Sequence, residues 1–393
     1  MIGNLINLSV RARWLVLILT VLVGAFGAWQ LTKLPIDAVP DITNRQVQIN
    51  TVSSGLSPIE MEKRVTFPVE TALAGIPGLE TTRSLSRNGF SQVTAVFSDK
   101  TDLYFARQQV SERLTQAQDS LPDGVQPAIG PVTTGLGEVY MYTVDFTNPG
   151  GKGARIKDGQ PGWQPDGAFL TPEGDRLTTD VARAAYLRTV QQWIIAPQLR
   201  TVKGVAGIDS IGGYEKQFVV EPDPARMTAL GISYSELAKA LEASNLSAGV
   251  NYLNRGGEAF LVRADARIRS QEEIASAIVA TRNGVGIPVR DIANVSVGGD
   301  LRTGAASMNG HEVVVGTTLM LIGENSRTVA KAVGERLDTV RKSLPAGISV
   351  TPMLDRSKLV NATVSTVERN LTEGAILVAA VLFFLLGNWR ASL

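Results

Sequence analysis

The spacing of apolar and polar positions changes character twice along the chain. From Trp14 to Thr32 no residue is charged, and "WLVLILTVLVGAFGAW" is apolar throughout. Nineteen residues at about 1.5 Å rise cover roughly 28 Å, close to the hydrocarbon thickness of a bilayer. Arg11 and Arg13 precede the run, Lys33 follows it, and Trp14 and Trp29 bracket it as interfacial anchors would. A second apolar run, "GAILVAAVLFFLLGNW", occupies 374–389 and is followed by Arg390, with Asn370, Leu371 and Thr372 able to extend it past Glu373. The pattern predicts two membrane helices around a long loop. Arg11, Arg13 and Arg390 fall on one side, which makes that side cytoplasmic and puts residues about 34–370 outside. A leader within residues 1–27, cleaved at "AFG", is the rival reading; the charged region is long and Trp29 follows at once, so two uncleaved spans is preferred.

The first run stops at "LPIDAVPDI" (34–42). Pro35 ends the helix, since it lacks an amide hydrogen and disfavours a helical residue before it. Asp37 and Asp41 are four apart, but Pro35 and Pro40 preclude a regular helix that would pair them. They read as the start of an extended segment rather than as paired catalytic carboxylates.

Between the runs the chain repeats itself. "SLPDGV" at 120–125 returns as "SLPAGI" at 343–348, each closing an amphipathic helical stretch (102–119 and 326–342). "IPGLETTRSLSRNGFSQVTAVFSD" (76–99) is echoed by "VKGVAGIDSIGGYEKQFVVEPD" (202–223), each reading as strand, glycine turn, strand. The first unit is therefore strand 45–53, helix 58–75, strands 79–87 and 90–98, helix 102–119, strand 125–130: a β-α-β-β-α-β unit with two helices on one sheet face. The second begins at 137–146 with helix 179–200 and strand 205–211. It resumes at 312–322 with helix 326–342 and strand 347–354. The insertion, about 213–299, reads as strand "QFVVEP", helix "SYSELAKALEAS", strand "AFLVRAD", helix "SQEEIASAIVAT" and strand "IPVRDIANVSVG". Ser270 and Glu273 form a capping box at its second helix. Residues 147–178, rich in Gly and Pro, read as a flexible surface loop; "GGKG" within them lacks P-loop spacing.

Composition removes several function classes. Lys and Arg number 38 against 37 Asp and Glu, a net charge of +1, which gives no reason to expect nucleic acid. There is no cysteine and one histidine, His311, so thiolate and multi-histidine metal sites and Ser-His-Asp or Cys-His catalysis are not assembled from this chain. His311, in "MNGHEV", reads as an exposed turn residue rather than a ligand. Met1, Met61, Met141, Met227, Met308, Met320 and Met353 are scattered and read as core filler or surface. Arg255, Arg263, Arg267 and Arg269 read as a solvated face.

"LPIDAVPDITNRQVQINT", "GLSPIEMEKRVTFPVETALAGIPGL", "SLPDGVQPAIGP" and "GIPVRDIANVSVG" resemble the inner-membrane pumps of the resistance–nodulation–division (RND) superfamily, and among them the heavy-metal efflux branch of CzcA/CusA type. The resemblance runs along essentially the whole chain. It implies an α+β membrane protein: 1–33 the N-terminal segment and first transmembrane helix; 34–136 a first ferredoxin-like porter subdomain; 137–212 and 300–356 the two parts of a second; 213–299 an α/β docking subdomain; and 357–393 a linker and second transmembrane helix. It implies a multi-pass protein of the bacterial inner membrane, acting as a homotrimer with a periplasmic adaptor and an outer-membrane channel. The activity implied is secondary transport, export of metal cations in exchange for protons, without a cofactor.

Family pumps carry twelve membrane helices in two similar halves, so the chain is expected to be the N-terminal part of such a pump, its proton-relay acids and metal ligands lying in the remainder. No catalytic, cofactor or metal residue is carried over. "DITNRQVQIN" leans, by similarity, toward members moving divalent Co, Zn, Cd or Ni rather than Cu or Ag. Two alternatives stay open: an RND pump for drugs or organic solutes, and a two-span receptor with a periplasmic sensing domain.

Overall fold

The structure, a computed structural model, describes residues 11–31, 43–53, 55–245, 247–255, 258–265, 267–268, 270–282, 284–300 and 304–387. Asp37 and Asp41, with Pro35 and Pro40, lie outside these residues, as do Met1, Arg269 and Arg390.

The first unit has strands β1 (Arg45–Val52), β2 (Leu79–Arg87), β3 (Phe90–Phe97) and β4 (Pro127–Ile129) in the order β2-β3-β1-β4, neighbours antiparallel. The alternation of β1 turns Val47, Ile49 and Thr51 inward, the period of two that a half-buried strand requires. The first helix is in three pieces: Pro58–Met61, a π turn at Glu62–Thr66, and Phe67–Leu73. Pro68 explains the break, because its ring excludes the carbonyl four residues back; the Phe67 N–H instead donates to the Glu62 carbonyl, five residues back. Helix Leu103–Ala117, capped by Asp102, completes the layer and buries Ala106, Val110 and Leu114.

The second unit opens with β5 (Glu138–Phe146). Residues 147–178 are not a free loop. They form a small ribbon of β6 (Gly162–Trp163), β7 (Phe169–Leu170) and β8 (Arg176–Leu177). The Gly and Pro content marked the turns correctly, but Trp163 and Phe169 are buried against Phe146, with ring centroids 4.7–5.5 Å apart. Two aromatics in a polar stretch anchor it. Helix Asp180–Val190 then repeats the first unit's device: a π turn at Gln191–Ile195, with Pro197 in the helix Ala196–Arg200 that follows.

After β9 (Val205–Ile211) the insertion begins with β10 (Lys216–Pro222) and helices Pro224–Ala229 and Tyr234–Ser244. β11 (Ser247–Arg255) and β12 (Glu258–Asp265) pair as a ribbon carrying Arg255 and Arg263, and Arg267 beyond it is exposed. The helix read over 270–281 ends at Ser276. Ser270 caps it, accepting the Glu273 N–H, but Ile278–Arg282 is β13, paired through a turn with Gly284 (φ 79°) to β14 (Val285–Pro288). The β-branched Ile278, Val279 and Thr281 outweigh the helical pattern there. Likewise "IPVRDIANVSVG" is broken by a helical turn, Val289–Ile292, before β15 (Ala293–Gly299), which pairs with β10.

The chain returns through β16 (Ala306–Met308) and β17 (His311–Met320), helix Ser326–Arg341 and β18 (Ile348–Asp355). The second sheet runs β18-β5-β17-β9, with β16 also against β17. This is the strand order of the first unit, the fourth strand beside the first, the first beside the third.

Asp355 caps a single helix, Arg356–Leu386, that continues from the second unit through the residues expected to be a linker. Nothing between Arg356 and Glu373 is Gly or Pro, so nothing stops it. Val360 is buried, whereas Leu371, Ile376, Leu377, Phe383 and Phe384 are exposed. Helix Arg13–Leu31 likewise exposes Trp14, Leu17, Ile18, Leu22 and Phe26. Among the described residues no helix is long and apolar enough to cross a membrane; the apolar runs of the sequence extend beyond them, to Thr32 and Trp389.

Candidate functional site

Helices cover one face of the second sheet, over Tyr142, Val144, Val314 and Val350. The alternate residues of β5, Thr143 and Asp145, face the other way. A buried carboxylate needs a partner, and Asp145 has two. Its Oδ1 accepts the Phe146 N–H at 2.7 Å, and its Oδ2 lies 2.6 Å from Nε2 of His311. The Asp145 side chain is 8% exposed and that of His311 31%. His311 is thus not a free turn residue. It is the first residue of β17, held onto the central strand by a buried acid. Beside it, Thr143 Oγ1 lies 3.8 Å from Met308 Sδ and 3.4 Å from the Thr351 carbonyl, the two acceptors for its one proton.

The other methionines follow the sequence reading. Met61, Met227 and Met320 are core, Met141 is half-buried, and Met353 is exposed. The sequence signal for Asp145 is an acid in the apolar part of the strand "EVYMYTVDF", whose other acid, Glu138, stands at its exposed start. Among the described residues no three His, Asp or Glu side chains converge as a metal site.

A groove of about 590 Å³ lies on the helix side, between helix Asp180–Val190, the π turn and the insertion. Val181, Tyr186, Trp193, Lys216 and Val297 line it. The Tyr186 hydroxyl donates to Glu173 at 3.3 Å, and Lys216 pairs with Asp175 at 3.4 Å. Burial first, then the Glu173 and Asp175 charges, push the Tyr186 hydroxyl above its ordinary range, so it remains a neutral donor. Lys152 of "GGKG" follows the short turn Pro149–Gly151 and lies outside this groove.

A family profile described as "AcrB/AcrD/AcrF family" matches residues 5–393. The chain belongs to that family. Over 392 residues it is 63% identical to the nickel-cobalt-cadmium resistance protein NccA of Alcaligenes xylosoxydans xylosoxydans, and 61% identical to the nickel and cobalt resistance protein CnrA of Cupriavidus metallidurans. To the cation efflux system protein CusA of Escherichia coli (strain K12) it is 34% identical over 395 residues. Each match takes in 100% of this chain but 36% of NccA and CnrA and 35% of CusA, so the chain spans about a third of the length of these relatives. A crystal structure of a heavy metal efflux pump superposes with a TM-score of 0.83 at 32% identity, covering 99% of this chain and 36% of that one. The α+β fold and the resemblance to heavy-metal RND pumps are both borne out, and the family is one of transporters, not enzymes.

Proposed function

We propose that this chain forms the first part of an inner-membrane RND pump that exports divalent heavy-metal cations, Ni, Co, Cd or Zn rather than Cu or Ag, in exchange for protons. The observation that carries the reading is the contrast in identity. The chain is 63% and 61% identical to two proteins named for nickel and cobalt resistance, against 34% for CusA, along its whole length. That all three relatives are named for metal resistance or cation efflux weighs against a drug or solute pump and against a two-span receptor.

In this reading residues 34–136 are the first porter subdomain, 137–212 with 300–356 the second, and 213–299 the docking subdomain. The apolar runs at 14–32 and 374–389, of which helix Arg13–Leu31 and the end of helix Arg356–Leu386 are the described parts, cross the membrane. Supporting this are their exposed apolar side chains, since a surface of that size needs lipid or neighbouring helices to cover it. Protomers associate as trimers and meet a periplasmic adaptor and an outer-membrane channel.

The mechanism follows from stiffness. Each unit has its own closed core and can move as a rigid body. The helix capped by Asp355 is a continuous rod of about 46 Å for 31 residues, so displacement of its membrane end reaches the second unit undamped. Expression of the complete reading frame in a metal-sensitive host tests the proposal. Raised tolerance to Ni²⁺ and Co²⁺, with lower cell-associated metal, is expected; unchanged tolerance with the protein in the membrane contradicts it.

A further inference from the structure

We propose that His311 and Met308 together form a contact for a soft or borderline divalent cation such as Cd²⁺ on the helix-free face of the second sheet, with Asp145 fixing the imidazole. The inference deepens the efflux reading and rests on it for its biological role, though not for its chemistry.

The hairpin sets the geometry. Asn309 and Gly310 both have positive φ (53° and 82°), as a two-residue turn of primed type requires. That turn makes Met308 and His311 direct cross-strand partners. Partners of this kind share one sheet face, with Cβ atoms about 4.5–5.5 Å apart. Both side chains lean over β5, where Met308 Sδ meets Thr143 and His311 Nε2 meets Asp145. Thr143 and Asp145 are two residues apart and so point the same way. The imidazole and the thioether therefore share one face, the imidazole anchored by Asp145 and the thioether in contact with Thr143.

An ionised carboxylate only accepts hydrogen bonds, so Nε2 carries the proton shared with Asp145. In the neutral ring Nδ1 is left with a free lone pair. Metal-bound histidines are held in this way: the distal N–H donates to a carboxylate, which fixes the tautomer and makes the ligating nitrogen more basic. The ring retains 31% exposure, enough for a cation to reach it. Nitrogen with thioether sulfur selects a soft or borderline cation and rejects Mg²⁺ and Ca²⁺, which take oxygen. With two protein ligands and water in the remaining positions, binding is weak and quickly reversible. That suits a stepping point for a cargo, whereas a resident metal would need three or four ligands.

The chain has one histidine, so ring-¹⁵N-histidine labelling of the 393-residue protein in detergent reports this site alone. Without metal, the two nitrogens are expected to show the Nε2–H tautomer. Cd²⁺ is expected to shift the Nδ1 signal and Mg²⁺ to leave it in place. Met308→Leu, which conserves volume, is expected to lose the response at Cd²⁺ concentrations that saturate the wild type. Asp145→Asn is expected to mix the tautomers before metal is added and to weaken Cd²⁺ binding about tenfold or more. A ring that ignores Cd²⁺, responds equally to Mg²⁺, or responds unchanged in Met308→Leu overturns the site. A silent ring in a protein whose complete form still exports Cd²⁺ removes the site and spares the efflux reading. A responsive ring in a protein that exports no metal keeps the site and removes that reading.

Discussion

Gly316 has no side chain because the Tyr142 ring occupies its place: a Cβ there would stand 2.3 Å from the ring carbon that carries the hydroxyl. Gly316 and Tyr142 are direct partners in the β17–β5 ladder, the ring covering backbone that a glycine exposes. Gly316→Ala is expected to destabilise the second unit by about 1–3 kcal/mol, the usual cost of overpacking, measured by urea unfolding; Tyr142→Phe/Gly316→Ala would not restore it. Charge acts at a second residue. The Glu236 carboxyl lies below its ordinary range, first because the Ser233 N–H donates to it, then through the Ser233 hydroxyl and Arg282. A depressed carboxyl contributes stability that is present above its unfolded value and lost as pH falls through the folded one. Ser233→Ala is thus expected to lower the thermal midpoint at neutral pH and to flatten its decline in acid; parallel pH profiles for variant and wild type would count against the cap.

Among the elements, the two π turns were invisible in the sequence although their causes, Pro68 and Pro197, were in view. A proline within a helical pattern signals a break, but whether the helix ends or opens by one residue depends on what its next turn can bury. In the first unit that turn places the Thr66 hydroxyl 2.8 Å from Ser86 and 2.7 Å from Ser91, inside the core. In the second, Gln191 is fully buried and donates to Ser210 at 3.2 Å. Thr66→Val strands both serines and should cost about 1–3 kcal/mol, whereas Thr66→Ser should cost less; equal losses would mean the bonds contribute nothing. Strands and helices of the two units were legible because period and turn residues agree there. The ribbon of 147–178 and the hairpin at Gly284 were not. Short strands of two to five residues carry no period to read, and only packing against Phe146 or β14 tells them from loop. The Asp145–His311 pair was hidden for another reason: its members are 166 residues apart and meet only when β5 and β17 pair.

In the whole molecule, on the proposed reading, the helix Arg356–Leu386 joins porter to membrane. Thr366→Pro, midway between buried Val360 and the apolar end, removes a hydrogen bond and kinks the rod at about 3 kcal/mol or more. Export by the complete protein is expected to fall sharply while both units keep their thermal transitions; full activity would show that the rod transmits nothing. Topology is testable because the chain has no cysteine. In intact cells Lys100→Cys should react with a membrane-impermeant maleimide and Arg11→Cys should not.

The central claim is outward movement of a divalent heavy metal against protons, and flux in proteoliposomes of the complete protein tests it most directly. With an imposed pH gradient and Ni²⁺ or Co²⁺ on the cytoplasmic side, the account predicts metal transport that collapses when the gradient is dissipated. Transport indifferent to the gradient, or none with the protein correctly inserted, would contradict it.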